Sequence, residues 1–172
     1  NFNKVRSLPS ITELLLQSTI KNALYDINPE DFLGRQKIII DSKLYSKAYS
    51  NKTILVTGAG GSIGSEICMQ LAELGSTKII LFEMSEFALY QIEQKLRAFD
   101  INDKLSIVSC LGSVTDKKRV NDVINEYNVN VIIHAAAYKH VPLVEHNIIE
   151  GFKNNTIGTN IIVDAAIKNE IE

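Results

Sequence analysis

No run in this sequence is apolar for the roughly 18 residues that a membrane-spanning helix needs, and no secretory signal peptide is legible at its start. Cysteine is scarce. Cys68 and Cys110 lie far apart and outside any C-x-x-C spacing, which argues against a structural zinc site and predicts a reducing compartment. A surplus of positive charge is also lacking. Lys and Arg number 18 against 20 Asp and Glu, a net charge of −2, so no basic field exists to capture nucleic acid or an acidic membrane surface. Internal repeats and low-complexity tracts are absent. What remains is ordinary for a soluble globular protein: 172 residues, 45% apolar and 22% charged, which excludes a disordered chain and suffices for one domain with its own core. The chain opens at Asn1 rather than Met and closes at Glu172 just after a helical pattern, so it reads as a fragment.

Residues 1–50 differ from the rest. They hold two of the three prolines, Pro9 and Pro29, and no alternation of strand and helix. Ser10-Ile-Thr-Glu13 has the spacing of a capping box and precedes Leu14, Leu15, Leu16, Ile20 and Leu24, which predicts one amphipathic helix over about 10–24. Asp31-Phe-Leu-Gly34-Arg35 reads as a short helical turn stopped by glycine, and Lys37-Ile-Ile-Ile-Asp41 as a short strand. The segment is expected to be a helical arm or linker that packs on the main domain or on a partner subunit.

From residue 51 the pattern alternates. Strands are predicted at Thr53–Thr57, Lys78–Phe82, Leu105–Cys110 and Val129–Ala137. Helices are predicted from Ser62 to Leu74, over about 86–99 after a Ser85 cap, and from Thr115 or Asp116 to Tyr127. A last helix runs from Pro142 or Glu145 to Lys168, with a break near Glu150-Gly151. Apolar strands alternating with helices imply an α/β fold: a doubly wound parallel sheet covered on both faces.

The first turn is the informative one. Gly58, Gly61 and Gly64 fall between a strong strand and a strong helix. Gly58 permits the tight exit from the strand. Gly61 lets backbone N–H groups approach a pyrophosphate, and Gly64 lets the helix pack closely on the sheet. The helix N-terminus adds unpaired N–H groups and a positive dipole end. Glu83, nineteen residues after Gly64, stands where a carboxylate accepts both hydroxyls of an adenosine ribose and repels a 2′-phosphate, which favours NAD over NADP. The fourth strand ends in Ala135, Ala136 and Ala137, small residues that leave room for a ribose. Lys139 can reach a phosphate as a point charge. His134, inside the strand, reads as a hydrogen-bonded structural histidine. His140 divides evenly between anchoring its loop and contacting substrate, and His146 reads as a surface residue.

Thr57-Gly-x-x-Gly-x-x-Gly64 together with His134-Ala-Ala-Ala137 resembles the extended short-chain dehydrogenase/reductase superfamily, whose sheet is of the Rossmann type. Longer strings narrow the resemblance. Phe82-Glu-Met-Ser-Glu-Phe-Ala-Leu-Tyr90, Leu111-Gly-Ser-Val-Thr-Asp116, His134-Ala-Ala-Ala-Tyr-Lys-His-Val-Pro-Leu-Val-Glu145 and Asn154-Asn-Thr-Ile-Gly-Thr159 look like nucleotide-sugar 4,6-dehydratases of the capsular-polysaccharide and protein-glycosylation type. Arg6-Ser-Leu-Pro-Ser and Asp31-Phe-Leu-Gly-Arg35 resemble the linker that follows the transmembrane region of the long, membrane-tethered members.

The resemblance implies roles. Backbone groups of Ser62 and Ile63 would meet the pyrophosphate and Glu83 the ribose. Ser113 and Val114 would stand at the adenine, although many relatives carry an aspartate where Ser113 is. Ala135 to Lys139 would line the nicotinamide ribose and phosphates, and Asn154 matches a cofactor-contacting asparagine of related epimerases. His140, Val141 and Pro142 would lie next to the substrate.

The superfamily's catalytic pair, Tyr-x-x-x-Lys, is missing: none of Tyr25, Tyr45, Tyr49, Tyr90, Tyr127 and Tyr138 has a lysine four residues later. Catalytic residues are therefore expected beyond Glu172, and the chain alone is expected to bind cofactor without turnover. For the full protein the resemblance implies hydride removal from C4 of a hexose by NAD, loss of water across C5–C6, and hydride return to C6. UDP-N-acetylglucosamine is the implied substrate. The implied place is the cytoplasmic face of the inner membrane, with homo-oligomers possible and no metal. Two alternatives stay open: a nucleotide-sugar 4-epimerase or ketoreductase on the same fold, and a non-catalytic dinucleotide-binding module.

Overall fold

A computed structural model describes residues 6–7, 25–26, 48–100 and 104–171. The chain divides into two compact units, residues 1–40 and 41–172. In the first, the described backbone is a two-residue antiparallel ladder in which Arg6 pairs with Asp26 and Ser7 with Tyr25. The helix expected over 10–24, the turn at 31–35 and the strand at 37–41 lie outside the described residues.

The second unit is built on four parallel strands: β1 (Thr53–Thr57), β2 (Lys78–Glu83), β3 (Ser106–Leu111) and β4 (Val131–His134). Their spatial order is β3-β2-β1-β4, so the chain steps outward twice and then crosses back to the far side of β1. Thr57 pairs with Phe82 on one side and His134 on the other, and Glu83 pairs with Leu111. All four strands therefore end at one edge, and the reversal of direction falls between β1 and β4, where α/β sheets open a crevice.

Alternation along the strands feeds two cores. Ile54, Val56, Ile79 and Leu81 pack with Cys68 and Leu71 of helix α1 (Ser62–Glu73) and with Leu89, Ile92 and Leu96 of helix α2 (Glu86–Phe99). Leu55, Ile80 and Phe82 point the other way, onto Val120, Val123 and Ile124 of helix α3 (Lys117–Tyr127) and Ile162 and Ala165 near the C-terminal end. Both faces are covered, as strands apolar on both sides require.

Helix boundaries follow local chemistry. Ser85 caps α2 by accepting from Ala88 N–H at 3.3 Å, and Asp116 caps α3 by accepting from Arg119 N–H at 2.9 Å. Asn128, at φ 52°, ends α3 in the left-handed region.

Two expectations need correction. β4 stops at His134 rather than Ala137. After Ala135 donates to the Thr57 carbonyl at 3.1 Å the chain leaves the ladder, and the alanines line a cleft instead of pairing. The last helix is four pieces, not one: α4 (Val141–His146), α5 (Ile148–Phe152), a π-wound turn (Lys153–Gly158) and α6 (Thr159–Lys168). The interruption is at Asn147, whose side chain turns back to the Leu143 carbonyl, not at Gly151. Gly151 is buried inside α5, where an added Cβ would lie 2.7 Å from Val144; this glycine serves packing rather than breakage.

Candidate functional site

The crevice is built first by the turn leaving β1. Gly58 has φ 64°, a conformation that costs a side chain dearly, and a Cβ there would lie 2.7 Å from the Ala136 backbone. A Cβ on Gly64 would collide with the Gly58 carbonyl oxygen, and one on Gly60 would meet Ala88 of α2 at 2.5 Å. The turn is thus wedged against β4's exit, α1 and α2. Gly61 is different. Its φ of −72° suits any residue, and its Cβ direction meets one atom, the Gly58 oxygen at 3.2 Å. Gly61 lines the crevice.

Gly61 is also the N-cap of α1, and no side chain caps this helix or puts an acid in its first turn. The contrast with α2 and α3, each capped by its own Ser or Asp, is local and chemical. At α1 alone of the three, the positive end of the helix dipole and the first N–H groups are turned toward the crevice without a side-chain acceptor.

Glu83 stands across the turn at the end of β2 and is buried. Its Oε1 accepts from the N–H groups of Met84 (2.9 Å) and Ser85 (3.0 Å), and its Oε2 from Gly60 N–H (3.1 Å). Backbone donors fix the carboxylate in place, while Oε2 keeps capacity for one further donor.

The other wall is β4 and the loop that follows. The Thr159 hydroxyl donates to the Asn155 carbonyl at 2.7 Å, so at 3.0 Å it accepts from His134 Nε2. His134 Nδ1 then accepts the Thr57 hydroxyl at 2.6 Å. These bonds suit a neutral imidazole with its proton on Nε2, and burial favours that form by holding the pKa below the ordinary histidine range. It is a structural link, in keeping with its place inside a strand.

Two adjoining clefts result, of about 220 and 550 Å³, sharing Gly61, Ala137 and Tyr138. Gly58, Gly61, Glu83, Val114, Ala135, Ala136, Ala137 and Asn154 come together in the first. Ser62, Lys139 and His140 join Gly61 and Ala137 in the second. Ile63, Gly64, Ser113, Val141 and Pro142 line neither. The Ser113 hydroxyl is turned to Thr115, bonding its Oγ1 at 2.8 Å and its N–H at 3.2 Å.

Several lining residues had no assigned role in the sequence reading. Gly112 has a Cβ direction blocked by the Phe82 ring at 2.8 Å; a glycine directly after a strand was the available signal. Met84 faces Tyr138 across the first cleft, with the Tyr138 hydroxyl 3.8 Å from the Met84 sulfur, and no local pattern marks Met84. The cysteines stay out of the chemistry: burial pushes the Cys68 thiol up to about 12 and the Cys110 thiol in the same direction. Among the described residues no cluster of three His, Cys, Asp or Glu could hold a metal, and no helix is long and apolar enough to cross a membrane.

Comparison with known proteins places this geometry. Residues 54–172 match the family described as polysaccharide biosynthesis protein. The chain is 40% identical over 164 residues to the capsular polysaccharide biosynthesis protein CapD of Staphylococcus aureus, covering 95% of this chain and 27% of that protein. It is 31% identical over 125 residues to an inverting UDP-N-acetylglucosamine 4,6-dehydratase of Campylobacter jejuni subsp. jejuni serotype O:2, covering 72% and 35%. Among solved structures, the UDP-glucose 4-epimerase of Bifidobacterium longum in complex with NAD+ and UDP superposes with a TM-score of 0.59 at 26% identity, over 70% of this chain and 35% of the epimerase. The chain thus spans 27% to 35% of the length of these relatives.

Proposed function

This chain belongs to the polysaccharide biosynthesis protein family, nucleotide-sugar enzymes of the extended short-chain dehydrogenase/reductase type, and from that premise we propose that its crevice holds NAD for a nucleotide-sugar 4,6-dehydratase. One observation carries the reading. α1 begins uncapped at a glycine that lines the crevice, and a buried carboxylate with an acceptor position to spare lines it as well. A diphosphate meets N–H groups at the first, and a ribose hydroxyl donates to the second.

The residues present fit that cofactor. The backbone at Gly61, Ser62 and Ile63 would receive the diphosphate. Glu83 would accept from the ribose and repel a 2′-phosphate. Val114, nearly fully buried, and the Phe82 ring would floor the adenine end, with Ser113 beside it. Ala135 to Ala137 leave space along the second ribose, Lys139 supplies positive charge in the wider cleft, and Asn154 closes the far side. His140, which lines the wider cleft, would meet the substrate, with Val141 and Pro142 following it in the chain. When bound, NAD supplies reversible hydride acceptance; the protein's share is orientation and electrostatics. The 172 residues contain no Tyr-x-x-x-Lys pair, and we assign proton transfer on the sugar to groups outside them. UDP-N-acetylglucosamine is the proposed substrate, supported by the likeness to the C. jejuni dehydratase. Residues 1–50 are proposed as the arm joining this domain to a membrane region at the cytoplasmic face.

Calorimetric titration of the chain with NAD and NADP tests the assignment. Binding of NAD in preference to NADP is the expected result. Heat from neither overturns the cofactor reading, and tighter NADP removes Glu83 from its role. 4-Epimerisation on the same scaffold is the competing reading, favoured by the likeness to the B. longum enzyme. In the full protein the two part on product: a 4-keto-6-deoxy sugar for the dehydratase, a C4 epimer with C6 still hydroxylated for the epimerase.

A further inference from the structure

Past Ala135 the β4 chain loses its ladder partner, yet the next residues form a wall shared by both clefts. The amide of Asn155 stands in for the missing strand. Its Oδ1 accepts from Tyr138 N–H at 2.8 Å, and its Nδ2 donates to the Tyr138 carbonyl at 2.9 Å. A side-chain amide here pairs with a backbone residue 17 positions away as a neighbouring strand would. The same Oδ1 accepts from Asn154 Nδ2 at 3.0 Å, which ties the clamp to the buried asparagine lining the first cleft.

The donor end is itself anchored. Asn155 belongs to the π-wound turn Lys153–Gly158, a helical defect that recurs at functional sites. Its carbonyl takes the Thr159 hydroxyl, and Thr159 connects through His134 to Thr57, the last residue of β1. Gly158 fixes the end of the turn, since a Cβ there would lie 2.7 Å from Val114. The position of the loop is thus referred back to the last residue of β1 through a chain of hydrogen bonds.

We infer that Asn155 is a positioning residue for dinucleotide binding: its amide clamps Tyr138 and thereby aims the adjacent Lys139 into the wider cleft. The inference rests on the NAD reading above, and it makes Asn155 act through Lys139 rather than by touching cofactor.

Two measurements on the same variants test it. Hydrogen exchange reads the clamp without any ligand. Asn155→Ala should speed exchange of the Tyr138 amide by about tenfold or more while amides of Leu55 and Ile80 keep their protection. Asn155→Asp retains an acceptor for Tyr138 N–H but sets an oxygen against the Tyr138 carbonyl in place of the Nδ2 donor, so it should restore only part of that protection, still above that of Asn155→Ala, which also guards against a variant that merely folds badly. NAD titration reads the consequence. Lys139→Ala and Asn155→Ala should each weaken binding by about tenfold alone, and together by much less than their product. An unchanged Tyr138 amide in Asn155→Ala, or NAD losses that multiply independently, overturns the inference while the NAD reading stands. Failure of the unmutated chain to bind NAD overturns both.

Discussion

The two walls of the crevice are held by different physics. The β1–α1 wall is steric: Gly58, Gly60 and Gly64 each press against backbone or a methyl group where a side chain has no room. The β4 wall is polar: Thr57, His134, Thr159, Asn155 and Tyr138 form one hydrogen-bonded succession whose links span 4 to 77 residues. A steric wall fails all at once when overfilled. A polar wall fails by degrees, each lost partner leaving a half-buried group unsatisfied.

Gly64→Ala should produce the largest effect, because the new methyl group has only the Gly58 carbonyl to displace. A loss of about 3 kcal/mol in urea unfolding is expected; a change within about 0.5 kcal/mol would show that the wall yields. Gly61→Val sharpens the contrast inside the same turn. It should cost at most about 1 kcal/mol of stability and yet weaken NAD binding by about a hundredfold or more in calorimetry, since its side chain enters the crevice.

The polar wall should break more gently. His134→Leu removes the partner of both Thr57 and Thr159, and about 2 kcal/mol of stability should go with it. The pH dependence has a definite sign. The folded pKa of His134 lies below the unfolded value of about 6.5, so the unfolded chain binds more protons as pH falls through that value. The contribution of neutral His134 is complete above about pH 6.5 and is lost as pH drops toward its folded pKa. Thermal unfolding between pH 7.5 and 5 should show a shallower slope for His134→Leu than for the unmutated chain. Ser113→Ala, which removes a hydroxyl bonded to Thr115, should change stability by less than about 1 kcal/mol in the same assay.

The same division explains what the sequence disclosed. Strand ends at Thr57, caps at Ser85 and Asp116, and the glycine spacing are local facts. Chemistry within three or four residues writes them, so they are legible, and the parallel order of the sheet follows from alternation and crossover handedness. The termination of β4 at His134, the break at Asn147 and the π turn are not local. Each depends on a partner far along the chain, so periodicity extended the strand through the alanines and ran the last helix on through Asn147. Asn154 was found by resemblance, but Asn155 beside it was not, because its partner is a backbone group that no side-chain pattern reveals. Gly151 misled for the same reason: a breaker by composition, it is a spacer against Val144 by packing.

β1 is the common neighbour of β2 and β4, in register with Phe82 on one side and His134 on the other at Thr57. Ladder spacing of about 4.8 Å between strands therefore sets the width of the gap at its base. A molecule entering must pass over the rim formed by Met84, Tyr138 and the chain from Ala135 to His140, and the rate of its arrival and escape is a property of that rim and not of the sheet.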